Sequence, residues 1–347
     1  MSNTTDLINA ISAIKDGRTL SSSEISAAFR VIMSGDASDG LIGAFLGLMA
    51  ARVPTGEELY GATLVMKECV DSLHFANPEA LLDTCGTGGA PKTFNVSTAA
   101  GIVAASCGVR VAKHGNRSRT GRGSAEVLEQ LGVNIGATKE QQQKCLEEVG
   151  ICFCFAPKHH SAVAHVMPVR KELGFPTIFN LLGPLTNPCQ AGRQLLGVWD
   201  DVYVKPVAEA LLSGGTKKSV VVHSRDGLDE ISISAPTRMM YIDSGEITEE
   251  TLEPEDVGLQ RWNISLVTAN TLTEAALMIE GVVIHGRAGA PRDMVLLSTG
   301  VSLFLSDRVR SVTEGVEVAT EAVDSGQAKQ TLQHWVECSN THTAFTS

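Results

Sequence analysis

The sequence lacks the features of membrane, secreted and zinc-binding proteins. It has no apolar run of about 18 residues, the length that a helix needs to cross a bilayer. Its first 20 residues are polar and carry charges at Asp6, Lys15, Asp16 and Arg18, so no secretory signal is recognisable. The 8 cysteines form no C-x-x-C pair and no Cys/His spacing typical of zinc. Such isolated thiols predict a protein of the reducing cytoplasm without disulfides. The missing apolar run predicts that the protein does not enter membranes.

Positive charge is also scarce. The 28 Lys and Arg residues stand against 39 Asp and Glu residues, which gives a net charge of −11. Because an acidic surface repels a phosphate backbone, the composition argues against general nucleic-acid binding. An anionic substrate therefore needs a local basic cluster. Hydrophobic residues make up 43% of the 347 residues, which is enough for a core in two domains or in one large domain.

The first 75 residues show helical patterns only. Two capping-box signatures, Ser21 with Glu24 and Thr55 with Glu58, each precede an apolar helical stripe. We therefore predict a small all-helical N-terminal domain over residues 1–75. The segment 165–190 carries several Pro and Gly residues, and we expect part of it to join this helical domain.

Strand-like runs alternate with helical stretches after residue 76. The predicted strands are 81–85, 109–113, 151–155, 219–223, 231–234 and 239–242. The predicted helices between them are 97–107, 124–131, 139–149 and 202–212, and a later helix covers 314–324. This alternation predicts a large α/β domain over 76–347 with a central, mostly parallel sheet.

A glycine-rich turn follows the first predicted strand. Gly86, Gly88 and Gly89 allow positive φ angles and close approach of a ligand, so their N–H groups can form an anion-binding nest. The spacing matches neither the Rossmann nor the Walker motif, and a tight turn without a ligand explains it equally well. Ser97 and Thr98 then open an apolar helix, either as caps or as ligands of a phosphate or metal.

A basic segment stands out against the acidic background. Residues 113–122 contain Lys113, His114, Arg117, Arg119 and Arg122. A charge run is usually a solvated face. Here the flanking glycines and the preceding strand favour a phosphate-gripping loop.

Two adjacent carboxylates, Asp229 and Glu230, precede the predicted strand 231–234. Carboxylate oxygens are hard ligands suited to a Mg²⁺ that carries substrate phosphates. Acidic pairs are more often plain surface, so this signal depends on the neighbouring phosphate-site motifs.

Taken together, these segments resemble the anthranilate phosphoribosyltransferase family. The matching motifs, in the family's order, are GTGG at 86–89, NVSTAA at 95–100, VAKHGNRS at 111–118, GSAEVLEQLG at 123–132, PVRKELG at 168–174, FNLLGPLTNP at 179–188 and DGLDEIS at 226–232. The resemblance implies a helical domain joined to an α/β domain and a homodimer formed through the helical part. It also implies Mg²⁺-dependent transfer of the phosphoribosyl group of phosphoribosyl pyrophosphate (PRPP) to the amine of anthranilate.

The resemblance assigns site residues by motif position. Those for PRPP are Gly86, Gly89, Ala90, Thr93, Asn95, Val96, Ser97, Thr98, Lys113, His114, Gly115, Asn116, Arg117, Ser118, Arg119, Thr120, Gly121 and Ser124. Those for anthranilate are Gly86, His114, Asn116, His160, Arg170 and Gly183, and those for Mg²⁺ are Ser97, Asp229 and Glu230. All have binding or positioning roles, and no covalent nucleophile is implied.

The chain departs from the family pattern at two places. Ala90 stands where the family usually has Asp, which removes a carboxylate near the pyrophosphate. Residues 161–163 read Ser-Ala-Val where the family tends to have Pro-Ala-Met, on the aromatic-acid side of the site.

Other activities remain open at this point. A related enzyme acting on a different aromatic or nucleobase substrate, including a nucleoside phosphorylase, fits a similar scaffold. A non-catalytic, nucleic-acid-binding paralogue is a further alternative. Arg170 and the Asp229–Glu230 pair favour the transferase, and the net charge of −11 opposes nucleic acid.

Overall fold

The computed structural model describes residues 4–89, 93–118 and 121–341. The N-terminal part is helical, as predicted. Its helices are α1 (Thr5–Lys15), α2 (Ser22–Met33), α3 (Asp39–Ala50) and α4 (Gly56–Glu68). Ser21 and Thr55 form the two predicted capping boxes, in which each hydroxyl accepts from a glutamate N–H and the glutamate accepts in return.

Glu58 of α4 also connects separate segments of the helical part. Its carboxylate binds the Arg52 guanidinium at 2.5 Å and accepts from the backbone N–H of Leu20 at 2.8 Å. Burial raises the pKa of Glu58, but these partners and the Thr55 N–H outweigh burial and hold the pKa below its ordinary value.

The rest of the described chain is α/β. The strands are β1 (Leu82–Gly86), β2 (Val111–Gly115), β3 (Ile151–Phe155), β4 (Arg193–Gly197), β5 (Lys218–Ser224), β6 (Thr237–Asp243) and β7 (Glu246–Leu252). The helices are α5 (Val96–Ser106), α6 (Ser124–Gln130), α7 (Lys139–Glu148), α8 (Ala156–His159), α9 (Met167–Leu173), α10 (Ile178–Leu185), α11 (Val204–Ser213), α12 (Leu272–Val283), α13 (Ala290–Leu305), α14 (Val312–Asp324) and α15 (Gln327–Asn340).

The seven strands form one sheet in the order β3-β2-β1-β4-β5-β6-β7. The first five are parallel, and β6 and β7 are antiparallel additions at one edge. The predicted fold class is therefore confirmed. Because parallel strands end at the same edge, the carboxyl ends of β1, β2, β4 and β5 lie side by side, which is where α/β proteins place their ligands.

Two buried clusters flank this sheet. One contains α5 and the C-terminal helices, and the other contains α1–α4 together with α9, α10 and α11. Phe179 of α10 lies 5.5 Å, between ring centroids, from Phe29 of α2. Helices of the segment 165–190 thus pack with the N-terminal helices, while the domain boundary at residues 75 and 76 stays a prediction.

Three details of the sheet differ from the sequence prediction. Residues 231–234 are not a strand but part of the loop between β5 and β6. There Asp226 accepts from the hydroxyls of Ser232 and Ser234, so this segment bonds locally instead of joining a ladder. Strand β4 was missed although it is as long as β1, β2 and β3. Strand β7 was missed because its residues are mostly polar and exposed.

No helix in the described part of the chain is long and apolar enough to cross a membrane.

Candidate active site

The candidate site begins where three strands end in glycine. Gly86 ends β1, Gly115 ends β2 and Gly197 ends β4. A Cβ on Gly197 would lie 1.7 Å from the Asp229 carbonyl oxygen, and one on Gly86 would lie 2.9 Å from Asp229 Oδ2. The Gly197 contact is with backbone, so only glycine at this position allows the loop with Asp229 to cross the end of β4, whereas the Gly86 contact is with the Asp229 side chain. Sequence reasoning found Gly86 but missed Gly197, whose signal is a glycine directly after an apolar run.

The predicted nest takes the expected backbone conformation. Gly88 and Gly89 have φ angles of 66° and 101°. The Gly88 N–H donates to Asp229 Oδ2 at 3.1 Å, so the glycine turn and the acidic loop are in direct contact. Consecutive left-handed glycines aim backbone N–H groups at an anion. Ala90 lies outside the described residues.

Lys113 lies beneath this turn. Its side chain is 1% exposed, and its Nζ donates to the Thr84 carbonyl at 2.5 Å and to Ser97 Oγ at 3.2 Å. Burial lowers the pKa of Lys113, and the charge of Asp83 opposes that shift. The Ser97 hydroxyl therefore connects the Lys113 ammonium to the first turn of α5.

The interpretation of Ser97 and Thr98 as helix caps is wrong. Both lie inside α5, which begins after Asn95 without a side-chain cap. Thr98 Oγ1 is buried and has no hydrogen-bond partner within the described ranges, and Asn95 Nδ2 donates to the Arg122 carbonyl at 3.2 Å. At the start of α5 the N–H groups of Val96 and Thr98 donate to the carbonyls of Phe94 and Asn95, so it is the two hydroxyls that fit the alternative role as ligands of a phosphate or metal.

The acidic pair has the chemistry of a cation site. Desolvation raises the pKa of Glu230 to about 8, and the neighbouring Asp229 charge adds to the rise. A cation bound between the two carboxylates would relieve that repulsion. Carboxylates and the Ser97 hydroxyl are oxygen donors, which fit Mg²⁺.

The end of β2 is packed against the start of α6. A Cβ on Gly115 would lie 2.2 Å from Ser124 Oγ. Glu126 accepts from the N–H of Ser118 at 3.2 Å and from the N–H of Gly123 at 3.0 Å. Glu126, which sequence reasoning missed, thereby links Ser118, within the basic segment 113–122, to Gly123, the residue that follows the segment.

One basic residue of this loop is paired elsewhere. The Arg117 guanidinium contacts Glu129 of α6 at 2.7 Å and lies 5.8 Å from the Phe155 ring centroid. Its assignment to PRPP stays a prediction. Arg119 and Thr120 lie outside the described residues. Among the described residues, Arg122 Nη1 is buried and has no hydrogen-bond partner, so Arg122 is better placed than Arg117 to bind an external anion.

Two neutral imidazoles lie on the other side of β2. The His114 and His160 rings are 5.0 Å apart between centroids. Burial, followed by the charges of His160 and His159, lowers the pKa of His114 to about 3. Burial, followed by the charge of His159, lowers the pKa of His160 to about 4. The Nε2 atoms of both are buried and find no hydrogen-bond partner in the part of the chain that the structure describes. His159, in contrast, contacts the Asp71 carbonyl and Gln142, so its role is structural.

Helix α10 links these imidazoles to Arg170. Arg170 Nη2 donates to Asn180 Oδ1 at 3.4 Å, and the guanidinium lies 5.2 Å from the Phe179 ring centroid. The backbone of Gly183, one turn later, contacts His114. Within residues 4–89, 93–118 and 121–341, no carboxylate lies at ion-pair distance from Arg170, whose pKa is lowered by burial. The guanidinium is therefore available to an external carboxylate.

An aromatic pair beside the nest was missed by sequence reasoning. Trp199 follows β4, and its backbone N–H donates to Thr87 Oγ1 at 3.1 Å. The Trp199 and Tyr203 ring centroids are 4.5 Å apart. A Cβ on Gly89 would lie 3.5 Å from Trp199. Trp199 and Tyr203 also line an open cavity of about 410 Å³ together with α3 and residues 175–176.

Comparison with known proteins identifies the family. The description "Glycosyl transferase family, a/b domain" matches residues 78–329, and "Glycosyl transferase family, helical bundle domain" matches residues 8–70. The anthranilate phosphoribosyltransferase of Thioalkalivibrio sulfidiphilus is 43% identical over 333 residues, covering 95% of this chain and 98% of its own. That of Symbiobacterium thermophilum is 44% identical over 326 residues, covering 93% and 95%.

Solved structures agree. The anthranilate phosphoribosyltransferase of Thermus thermophilus has a TM-score of 0.89 at 35% identity and covers 96% of this chain and 99% of its own. The Saccharomyces cerevisiae enzyme in complex with PRPP and Mg has a TM-score of 0.86 at 27% identity, covering 96% and 97%. The same yeast enzyme in complex with 4-fluoroanthranilate also has a TM-score of 0.86 at 27% identity, covering 98% and 99%. The resemblance stated from the motifs is confirmed: this chain belongs to the anthranilate phosphoribosyltransferases of the glycosyl transferase family.

Proposed function

We propose that this protein transfers the phosphoribosyl group of PRPP to the amine of anthranilate and releases pyrophosphate. A bond forms between the amine nitrogen and ribose C1, the bond from C1 to the pyrophosphate oxygen breaks, and the amine loses one proton. The observation that carries the proposal is that two groups of candidate binding residues lie on either side of β2. A glycine nest with Lys113 and an acidic pair lies on one side, and two neutral imidazoles near an available guanidinium lie on the other.

The nest side would hold the phosphates of PRPP. The start of α5 and the turn 86–89 lie on this side, and the buried Lys113 adds a positive charge there. The N–H groups of Thr87, Gly88, Val96 and Thr98 already donate to protein oxygens, so those of Thr87 and Gly88 must exchange partners if PRPP is to bind them. As the pyrophosphate leaves, negative charge develops on its oxygens, and groups already in place stabilise it without reorganising. The yeast relative, solved with PRPP and Mg, supports this assignment.

Mg²⁺ would be held by Asp229, Glu230 and the Ser97 hydroxyl. The contact between Asp229 and the Gly88 N–H supports this placement, because it puts the acidic loop against the nest. Bound there, Mg²⁺ would neutralise pyrophosphate charge.

The imidazole side would receive anthranilate. Arg170 is proposed to bind its carboxylate through two parallel N–H bonds, and the unpartnered Nε2 atoms of His114 and His160 to accept from its amine. Neutral imidazoles are needed here, because protonated ones have no acceptor nitrogen. The low pKa values of both residues support this role. Holding amine and C1 together supplies an effective-concentration advantage of several kcal/mol.

Turnover with purified protein tests the proposal. The expected result is PRPP- and Mg²⁺-dependent loss of anthranilate fluorescence with release of pyrophosphate. Turnover of a pyrimidine nucleoside with phosphate, without turnover of anthranilate, would overturn it. A salt-dependent shift of single-stranded DNA without transferase activity would contradict it in favour of a binding protein.

A homodimer formed through the helical part is also proposed. Large apolar side chains are exposed there, with Ile8, Val53 and Leu64 at 48%, 40% and 37%. Light scattering should give twice the mass of one chain, and a monomer at assay concentration would contradict this. The 8 free cysteines support a reducing, cytoplasmic location.

A further inference from the structure

Three cysteines that are separate in the sequence come together behind the imidazole side of the site. Cys152 and Cys154 alternate along β3, so their side chains point to the same face of the sheet. Cys189 follows α10 and meets them there. The three Sγ atoms all lie within 4.8 Å of one another, and Cys154 Sγ and Cys189 Sγ are 3.6 Å apart.

The position of Cys189 is fixed by the polypeptide around it. Its N–H donates to Asn187 Oδ1 at 2.8 Å, and Asn187 Nδ2 donates to the Ala112 carbonyl of β2 at 2.7 Å. Cys152 is paired in register with Ala112 on the adjacent strand. The turn and the two strands therefore form one rigid frame around the sulfurs.

The sulfur separations match those of a shared metal ion. With metal–sulfur bonds of about 2.3 Å, sulfurs in a trigonal site lie about 4 Å apart. The observed 3.6 Å between Cys154 Sγ and Cys189 Sγ is close to that distance, and all three sulfurs lie within 4.8 Å of one another. A disulfide would need a sulfur–sulfur distance of about 2.0 Å.

We propose that Cys152, Cys154 and Cys189 form a trigonal site for a soft divalent ion of the zinc group. Within residues 4–89, 93–118 and 121–341, no His, Asp or Glu ligand atom joins the three sulfurs. A donor set of sulfur alone selects thiophilic ions over Mg²⁺. Three thiols release three protons to solvent as the ion binds, and the M(SR)₃ centre carries one negative charge.

All three cysteines of this proposed site are buried. The three residues are 1%, 0% and 1% exposed, so no open position remains for water or substrate. Enclosed in this way, the ion would be structural, with three sulfur ligands where structural zinc sites usually have four. Cys154 is also the register partner of His114, so the bound ion would stiffen the strand pair that carries a proposed anthranilate ligand.

Cd²⁺ is a suitable probe, because cadmium thiolates absorb in the ultraviolet whereas carboxylate-bound Cd²⁺ does not. The full chain is synthesised by cell-free translation with Cd²⁺ and a non-thiol reductant, so that burial does not block entry. After gel filtration, we expect one Cd²⁺ per chain with thiolate absorption and a raised Tm. A Cys189→Ala chain should bind at least about 100-fold more weakly.

The matched control is Cys145→Ala, which removes a buried cysteine of α7 outside the cluster and should leave the absorption intact. Cys154→Ala repeats the test should Cys189→Ala fail to fold, as judged by circular dichroism. Intact, folded protein without thiolate absorption would overturn the proposal and leave the cysteines as packing residues. Equal absorption in the Cys189→Ala and Cys145→Ala chains, or a disulfide between Cys154 and Cys189, would overturn it as well.

Discussion

Gly197→Ala adds one methyl group at the point where the acidic loop crosses the end of β4. The new Cβ would lie 1.7 Å from the Asp229 carbonyl oxygen, and real Cβ atoms essentially never approach closer than 3.0 Å. The loop must therefore withdraw by at least 1.3 Å, the difference between these two distances. A displacement of about 1 Å in a positioning group costs on the order of 100-fold in rate. We expect kcat/KM for PRPP to fall by that factor.

Steady-state kinetics at varied PRPP, anthranilate and Mg²⁺ provide the assay. The KM for anthranilate should change less than the parameters for PRPP and Mg²⁺, because Arg170 and the imidazoles lie across β2. Gly40→Ala is the matched control, since a Cβ on Gly40 would meet no atom within 4 Å. A folded Gly197→Ala protein with unchanged kcat/KM for PRPP would refute the reasoning.

Arg170→Ala should raise the KM for anthranilate by about 10- to 100-fold, the value of a hydrogen-bonded charge, before it affects PRPP; equal effects on both substrates would count against its role. Asp229→Asn with Glu230→Gln should weaken the Mg²⁺ dependence of activity at least about tenfold, and an unaltered metal profile would reject the ligand assignment. Glu58→Ala should lower the free energy of unfolding at pH 7 by about 3 kcal/mol, because it leaves Arg52 unpaired. Since the pKa of Glu58 is lowered in the fold, its stabilisation is present above the unfolded value of about 4.3 and is lost as pH falls through the folded value. Chemical unfolding from pH 7 to pH 3 should thus show a smaller gap between wild type and variant in acid, and a constant gap would contradict the assignment.

Local patterns in the sequence predicted much of this protein. Capping boxes at Ser21 and Thr55 and the strand–glycine turn at 86–89 involve residues within a few positions of one another. Their geometry is fixed by neighbouring backbone groups, so a single sequence suffices to recognise them. The motif resemblance supplied the rest of the assigned site.

Long-range contacts account for what was missed. Gly197 is required because of Asp229, and the three sulfurs meet only once α10 returns Cys189 to β3. The sequence indicated Arg117 as a phosphate-binding loop residue, yet its guanidinium pairs with Glu129 in α6, the helix that follows the loop. No local pattern encodes such pairings. The prediction of 231–234 as a strand failed for the opposite reason, since its serines form local hydrogen bonds to Asp226 in place of a sheet ladder.

A crystal structure with PRPP and Mg²⁺ tests the central claim most directly. We expect pyrophosphate against the turn 86–89 and the N-terminus of α5, Lys113 beneath it, and Mg²⁺ in contact with Asp229 or Glu230. Pyrophosphate bound away from this turn, or Mg²⁺ in contact with neither carboxylate, would contradict the proposed site.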